Sequence, residues 1–268
     1  RNISKNVTVE NQSFTRNSQG VLIVDSTNIF MKNITAYDNM DGILMYNCSA
    51  CSLSGINVSN NHYYSRSYNT YGGDGYGSFN TMGAGVELYK SKNNSLSSIT
   101  ASGNNISIYL RQSSNNLLSN LTLTNSTNGI MIEGYEEGSY PVYWYGGVNN
   151  TLSNMQISGN EMGIHIQSSI GNLFSNGSIH NNSKVGFMLE GGYDRRYDSQ
   201  SYVVREPLNS LDSMSIYGSP HNIYALETPM QFTNTSVEGK SAYSFIHASS
   251  GAVSDAGFLM FYASSGIS

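Results

Sequence analysis

The sequence predicts an all-β solenoid, a right-handed parallel β-helix of about 22 residues per coil, and three regularities predict it. Gly85, Ser107 and Gly129 recur at a 22-residue interval, as do Leu96 and Leu118, through two uninterrupted cycles from Gly85 to Glu133. Each cycle holds short segments in which apolar and polar residues alternate, the period-two signature of a strand. Between those segments stand Asn and Gly, which tolerate tight corners. No 3.6-residue helical period competes.

Extending the register outward gives a column at Gly20, Gly42, Gly85, Ser107, Gly129, Gly163, Gly186 and Asn222. After each comes a strand whose first and third residues are apolar: Val21/Ile23, Ile43/Met45, Val86/Leu88, Ile108/Leu110, Ile130/Ile132, Ile164/Ile166, Phe187/Leu189 and Ile223/Ala225. These pairs are expected to point inward. Further round each coil comes a second apolar column, Met31, Leu53, Leu96, Leu118, Leu152, Phe174 and Leu211. Beyond it lies a third set, running from Ile34/Ala36 to Met214/Ile216. Asn94, Asn116, Asn150, Asn172 and Asn209 form one corner column, and Asn17, Asn39, Asn104 and Asn160 another. Amides stacked from coil to coil can bond to each other. The Gly before each strand fits a corner where a side chain would clash. Left-handed solenoids step in hexapeptides, which are absent. At about 4.8 Å per coil, eight to nine coils make a rod on the order of 40 Å long.

An elongated repeat is exempt from the usual relation between chain length and domain count. Residues 1–229 are expected to form the β-helix domain. Three Tyr/Gly-rich inserts, at 62–82, 134–148 and 191–207, interrupt it, and 230–268 form a C-terminal cap or the start of a following module. The net charge of −5 and the lack of a basic stripe argue against a nucleic-acid partner. No run of about 18 apolar residues offers a membrane span. The chain begins at Arg1 without a Met or signal peptide, which reads as a mature or trimmed product. Fourteen N-x-S/T sequons occur, at Asn2, Asn6, Asn11, Asn33, Asn47, Asn57, Asn93, Asn105, Asn120, Asn125, Asn149, Asn176, Asn181 and Asn234. They favour export to an extracellular or cell-surface location with N-glycosylation.

The consensus N-x-L-S-N-[LIM]-x-[IL], followed by N-x-x-G-I-x-[IL], resembles the parallel β-helix repeats of NosD-type proteins over about residues 17–226. The same repeats occur in archaeal and bacterial surface glycoproteins and in some polysaccharide lyases and hydrolases. The resemblance implies the fold strongly and function weakly, because the family spans enzymes, binding modules and scaffolds. The hydrolases and lyases of this fold concentrate several Asp in adjacent coils, often with Lys or Arg, and no such cluster stands here. The resemblance also raises copper, whose natural ligands are thioether and imidazole. The chain has no M-x-x-M or H-x-H cluster.

The outward positions of the Gly strand are largely apolar and aromatic where a solvated face would carry Thr, Ser, Lys and Asn. Leu22, Leu44, Tyr46, Tyr89, Tyr109, Met131 and Met188 therefore form a candidate interface, with Tyr140, Tyr143, Trp144 and Tyr145 of the second insert beside it. Such a face packs on another subunit or domain, is covered by the inserts or the C-terminal tail, or holds a ligand. An enzyme can be built on the same face. Glu133 and Glu190 share a column two coils apart, about 9.6 Å between backbones. That spacing suits an inverting glycosidase, and His165 and Arg111 are nearby. A Glu at a strand end is also unremarkable as a polar edge residue.

Cys48 and Cys51 read first as a disulfide clipping a tight bend, with a redox pair or metal half-site as alternatives. Asp74, Glu136, Glu137, Asp194 and Asp198 could bind Ca²⁺ but lack a recognisable loop spacing, so no cofactor or metal is expected. The first expectation for function is a secreted surface glycoprotein, a β-helical scaffold that self-assembles as a filament, S-layer or adhesin subunit. The alternatives are a polysaccharide-active enzyme, glycoside hydrolase or lyase, and a carbohydrate-binding module.

Overall fold

A computed structural model describes residues 6–62, 82–137, 143–145, 147–190, 193–194, 203–204, 207–226, 229–246 and 250–262. Each coil carries one short and one long strand. The short strands Gln19–Val24, Asp41–Tyr46, Ala84–Tyr89, Ile106–Arg111, Asn128–Glu133, Met162–Gln167, Val185–Glu190 and His221–Leu226 stack in chain order into an eight-stranded sheet. The long strands Val7–Thr15, Ile29–Tyr37, Ser52–Ser59, Ser95–Ser102, Leu117–Thr124, Thr151–Ser158, Leu173–His180 and Asn209–Tyr217 form the second sheet. All these neighbours pair in parallel, and no helix occurs among the described residues. The architecture is the expected right-handed parallel β-helix.

The register is the one read from the sequence. Ile43 pairs with Val86, Val86 with Ile108, Ile108 with Ile130, and Ile130 with Ile164. These side chains are fully buried, as are Leu53, Leu96, Leu118 and Leu152 opposite them. Like residues therefore form vertical files through one continuous core. Phe174 and Phe187 meet edge-to-face across it, ring centroids 5.5 Å apart.

Each long strand is bent. Asn11, Asn33, Gly55, Ser98, Asn120, Asn154, Asn176 and Ser213 sit at equivalent places with φ between 53° and 63°, and the ladder skips them. A single left-handed residue thus turns the long strand through a corner and gives each coil a third face. Ten of the sequon asparagines (Asn11, Asn33, Asn47, Asn93, Asn120, Asn125, Asn149, Asn176, Asn181 and Asn234) occupy left-handed corners of this kind. Asn is the side chain that best tolerates that backbone, so the corners account for it there without a glycan. Asn2 lies outside the described residues.

Both asparagine ladders form. The amide of Asn94 donates to Asn116 Oδ1 at 3.0 Å, Asn116 to Asn150 at 3.1 Å, Asn150 to Asn172 at 3.0 Å and Asn172 to Asn209 at 3.0 Å. The other column runs Asn17, Asn39, Asn61 and Asn104, and Asn160 and Asn182 continue it beyond Ser126.

The expected disulfide is not formed: Cys48 and Cys51 are buried free thiols. Both stand in corner ladders. Cys48 stands one coil before Ser91 and Cys51 one coil before Asn94, whose side chains accept the two cysteine N–H groups. Each thiol turns inward as those side chains do, Cys48 toward the Tyr46 carbonyl at 3.3 Å and Cys51 toward that of Ser49 at 3.4 Å. The two sulfurs replace a hydroxyl and an amide as weak donors to backbone.

Beyond the last full coil, Met230–Thr233 and Ser236–Val237 pair in parallel with Asn209–Tyr217. A two-residue turn at Glu238 and Gly239, both with positive φ, then reverses the chain into Lys240–Ile246, which pairs antiparallel with Ser236–Val237 and parallel with Phe258–Tyr262. In the second insert Tyr135–Glu137 pairs antiparallel with Tyr143–Tyr145, and in the third Tyr193–Asp194 with Val203–Val204. Most of the first insert, with Asp74, lies outside the described residues, as do Tyr140 and Asp198.

Candidate active site

The short sheet turns two rows of side chains outward along the axis. Leu22, Leu44, Glu87, Tyr109, Met131, His165, Met188 and Tyr224 form one, and Val24, Tyr46, Tyr89, Arg111, Glu133, Gln167, Glu190 and Leu226 the other. The apolar and aromatic part of this face is unevenly exposed. Leu22 at one end and Tyr224 and Leu226 at the other are exposed, whereas Leu44 and Tyr109 are buried and Tyr46, Tyr89, Met131 and Met188 half-buried. Tyr109 belongs to a second, smaller core on the outside of the sheet, with Ala84 and Ile106 and with Met82 and Met131 against it. A covered side chain is not an interface, so Leu44 and Tyr109 drop out of that role.

Titratable groups occupy the middle of the face. The Tyr109 hydroxyl donates to Glu133 Oε2. His165 Nε2 lies 2.9 Å from Glu190 Oε2, with side-chain exposures of 12% and 35%. Glu133 and Glu190 are both in register with Gln167, as their spacing predicted. Arg111 lies one coil before Glu133, its guanidinium 4.5 Å above the ring of Tyr89. Lys90 Nζ is 5.3 Å from the same ring, and Tyr46 meets it edge-on at 5.2 Å.

Two further acids lie beside these groups. Asp41 is buried at the entry to the second short strand, where its Oδ1 accepts the N–H groups of Met82 at 3.1 Å and Ala84 at 3.0 Å. Glu87 is also buried. Asp41 Oδ2 and Glu87 Oε2 have no hydrogen-bond partner among the described residues. Burial pushes Asp41 up to about 6 against the pull of its backbone donors. Burial, then the charge of Asp41, pushes Glu87 up to about 8 despite the relief from Arg111. Glu87 is therefore mostly neutral at pH 7. Burial, then the bond to Glu133, holds Tyr109 well above the ordinary phenol range.

Sequence reasoning named Glu133, Glu190 and His165, and the structure brings these three together on adjacent coils of one face. It missed Glu87 and Asp41 as titrating groups. The available signal was the acid itself: Glu87 interrupts a row otherwise held by Leu44, Tyr109 and Met131. Of the second insert, the strand at Tyr143–Tyr145 is described only as backbone, opposite Tyr135–Glu137. No group of three or more His, Cys, Asp or Glu able to hold a metal occurs among the described residues.

No family model matches the chain, and no curated protein matches it. Its fold matches solved structures. The periplasmic alginate epimerase AlgG superposes with a TM-score of 0.59 at 15% identity, over 83% of this chain and 49% of that one. A double mutant of the same epimerase gives 0.62 over 86% and 50%, also at 15% identity. A tailspike protein of E. coli bacteriophage HK620, solved with a pentasaccharide, gives 0.56 at 9% identity, over 96% and 54%. The chain thus spans about half the length of the structures it matches. At these identities the likeness is one of fold, and it agrees with the coil-by-coil register: the chain is a right-handed parallel β-helix.

Proposed function

We propose that this chain is polysaccharide-active and that its chemistry lies on the outward face of the short sheet. The observation that carries the reading is two coupled titratable pairs, Tyr109–Glu133 and His165–Glu190, aimed the same way from neighbouring coils. Glu190 engages His165 Nε2, which fixes the ring. Glu133, with the Tyr109 hydroxyl on one oxygen, is the group that delivers or receives a proton. The backbones of Glu133 and Glu190 are two coils apart, about 9.6 Å, with His165 on the coil between.

The fold relatives support this reading by what their names record, an epimerase of alginate and a tailspike with bound pentasaccharide. An envelope or extracellular location goes with it, since the epimerase is described as periplasmic. No helix among the described residues is long and apolar enough to cross a membrane. Self-assembly through the face is the weaker reading, because Leu44 and Tyr109, which it requires, are buried.

The test is incubation with a panel of polysaccharides, reading new reducing ends for hydrolysis and ultraviolet absorbance for an unsaturated product. Turnover of at least one polymer is expected, with Glu133→Gln and His165→Asn each slowing it by roughly 10²-fold or more. A wild-type chain inert on every polymer, or variants as active as wild type, would sink the assignment.

A further inference from the structure

The Arg111 guanidinium makes no hydrogen bond and no ion pair among the described residues, although Glu133 is its direct neighbour in register. Glu133 accepts the Tyr109 hydroxyl instead. The Arg111 guanidinium carbon sits over the Tyr89 ring, and Lys90, which follows Tyr89 in the chain, reaches the same ring. Tyr89 and Arg111 are half-buried and Lys90 is exposed. In a chain of net charge −5, one aromatic ring thus carries two cations, with no anion paired to either among the described residues.

Stacking costs a guanidinium none of its donors. It leaves the N–H groups free for a planar anion. The nearest acids do not cancel the charge at neutral pH. Glu87 is largely protonated there, and the hydrogen bonds of Asp41 and Glu133 run to backbone N–H groups and to Tyr109, so neither carboxylate occupies the guanidinium donors.

We propose that Arg111, seated on Tyr89 and flanked by Lys90, is an anion-binding subsite, and that the glycan this face takes is acidic, bearing a carboxylate or sulfate. The proposal rests on the polysaccharide reading and narrows it. The charged group of one sugar residue accepts two hydrogen bonds from the guanidinium edge. That places the linked residue over Glu133 on the next coil, about 4.8 Å further along the axis. Lys90 adds attraction without geometry.

The experiment measures binding by calorimetry on the whole chain at two salt concentrations. The probes are oligomers of one length: a set of uronic-acid oligomers, a sulfated oligomer and a neutral glucose oligomer. The expected result is binding of an acidic oligomer at least ~10-fold tighter than the neutral one, weakening as salt is raised. Arg111→Gln should abolish that preference, and Arg111→Lys should restore only part of it. Circular dichroism and melting temperature serve as controls for folding. The uronate and sulfate arms decide which anion is read. Tighter binding of the neutral oligomer, or an acidic preference that survives Arg111→Gln, would overturn the proposal while leaving the polysaccharide reading intact. Failure to bind any oligomer, with no turnover of any polymer, would overturn both.

Discussion

Glu87 shows how one side chain ties stability to pH. Its carboxyl is buried with one oxygen unpartnered, and its pKa rises from an ordinary 4.5 to about 8. Asp41 moves from 3.8 to about 6. Between each pair of values the folded chain holds a proton that the unfolded chain has lost. The contribution is therefore complete below about pH 4 and is lost as pH rises through about 6 for Asp41 and about 8 for Glu87. The melting temperature should fall across this window. Glu87→Gln, which keeps the shape and removes the titration, should flatten the upper part and raise stability at pH 9 by a few kcal/mol, on the order of 5 °C or more. A thermal-melt series against pH checks this, and an unchanged slope in the variant would refute it. A backbone example is Gly163, where an added Cβ would come within 2.4 Å of the Gly186 carbonyl oxygen on the next coil. Gly163→Ala should cost roughly 2 kcal/mol or more by denaturant titration, because two coils must part to admit one methyl.

At the scale of the element, the corner ladders bind each coil to the next alongside the sheets. Asn116 accepts the backbone and side-chain N–H groups of Asn94, both at 3.0 Å, and donates to Asn150 Oδ1 and the Ser91 carbonyl, both at 3.1 Å. All of this is buried. Asn116→Ala should destabilise by about 2–4 kcal/mol, since it leaves buried donors and acceptors of two coils unpaired. Asn115 beside it has positive φ at a corner, and Asn115→Gly should cost only a few tenths of a kcal/mol. Chemical denaturation of the pair separates a ladder amide from a corner amide. The sequence shows both as Asn at a fixed interval. It does not show that one kind faces in and the other out.

For the whole molecule, each coil touches only its neighbours, so the ends decide whether the stack is finished. At the C-terminal end Met230 and Val237 are buried against the strand Asn209–Tyr217, and the Lys240–Ile246 strand then runs back along Ser236–Val237. Ending the chain at residue 229 should uncover the Asn209–Tyr217 edge and turn it into a template for pairing. Light scattering should then show association that the full chain lacks. A monodisperse truncated chain would mean the hairpin is an appendage and not a cap.

The period, the inward columns and the Asn ladders were legible in the sequence because each follows from local repetition: a residue that must face in on one coil must face in on the next. The Glu133, Gln167 and Glu190 file was legible for the same reason. What tertiary structure alone decided lies where the repeat is broken. That Tyr109 is roofed over while Tyr224 is open, that Glu87 is kept neutral, and that Arg111 prefers a ring to the carboxylate beside it depend on what packs on the outside of the coil. Cys48 and Cys51 belong to the same class: their spacing permits a disulfide, but both stand as buried free thiols in the corner ladders. Periodicity specifies the inside of a solenoid, and its outside is specified by contacts that have no period.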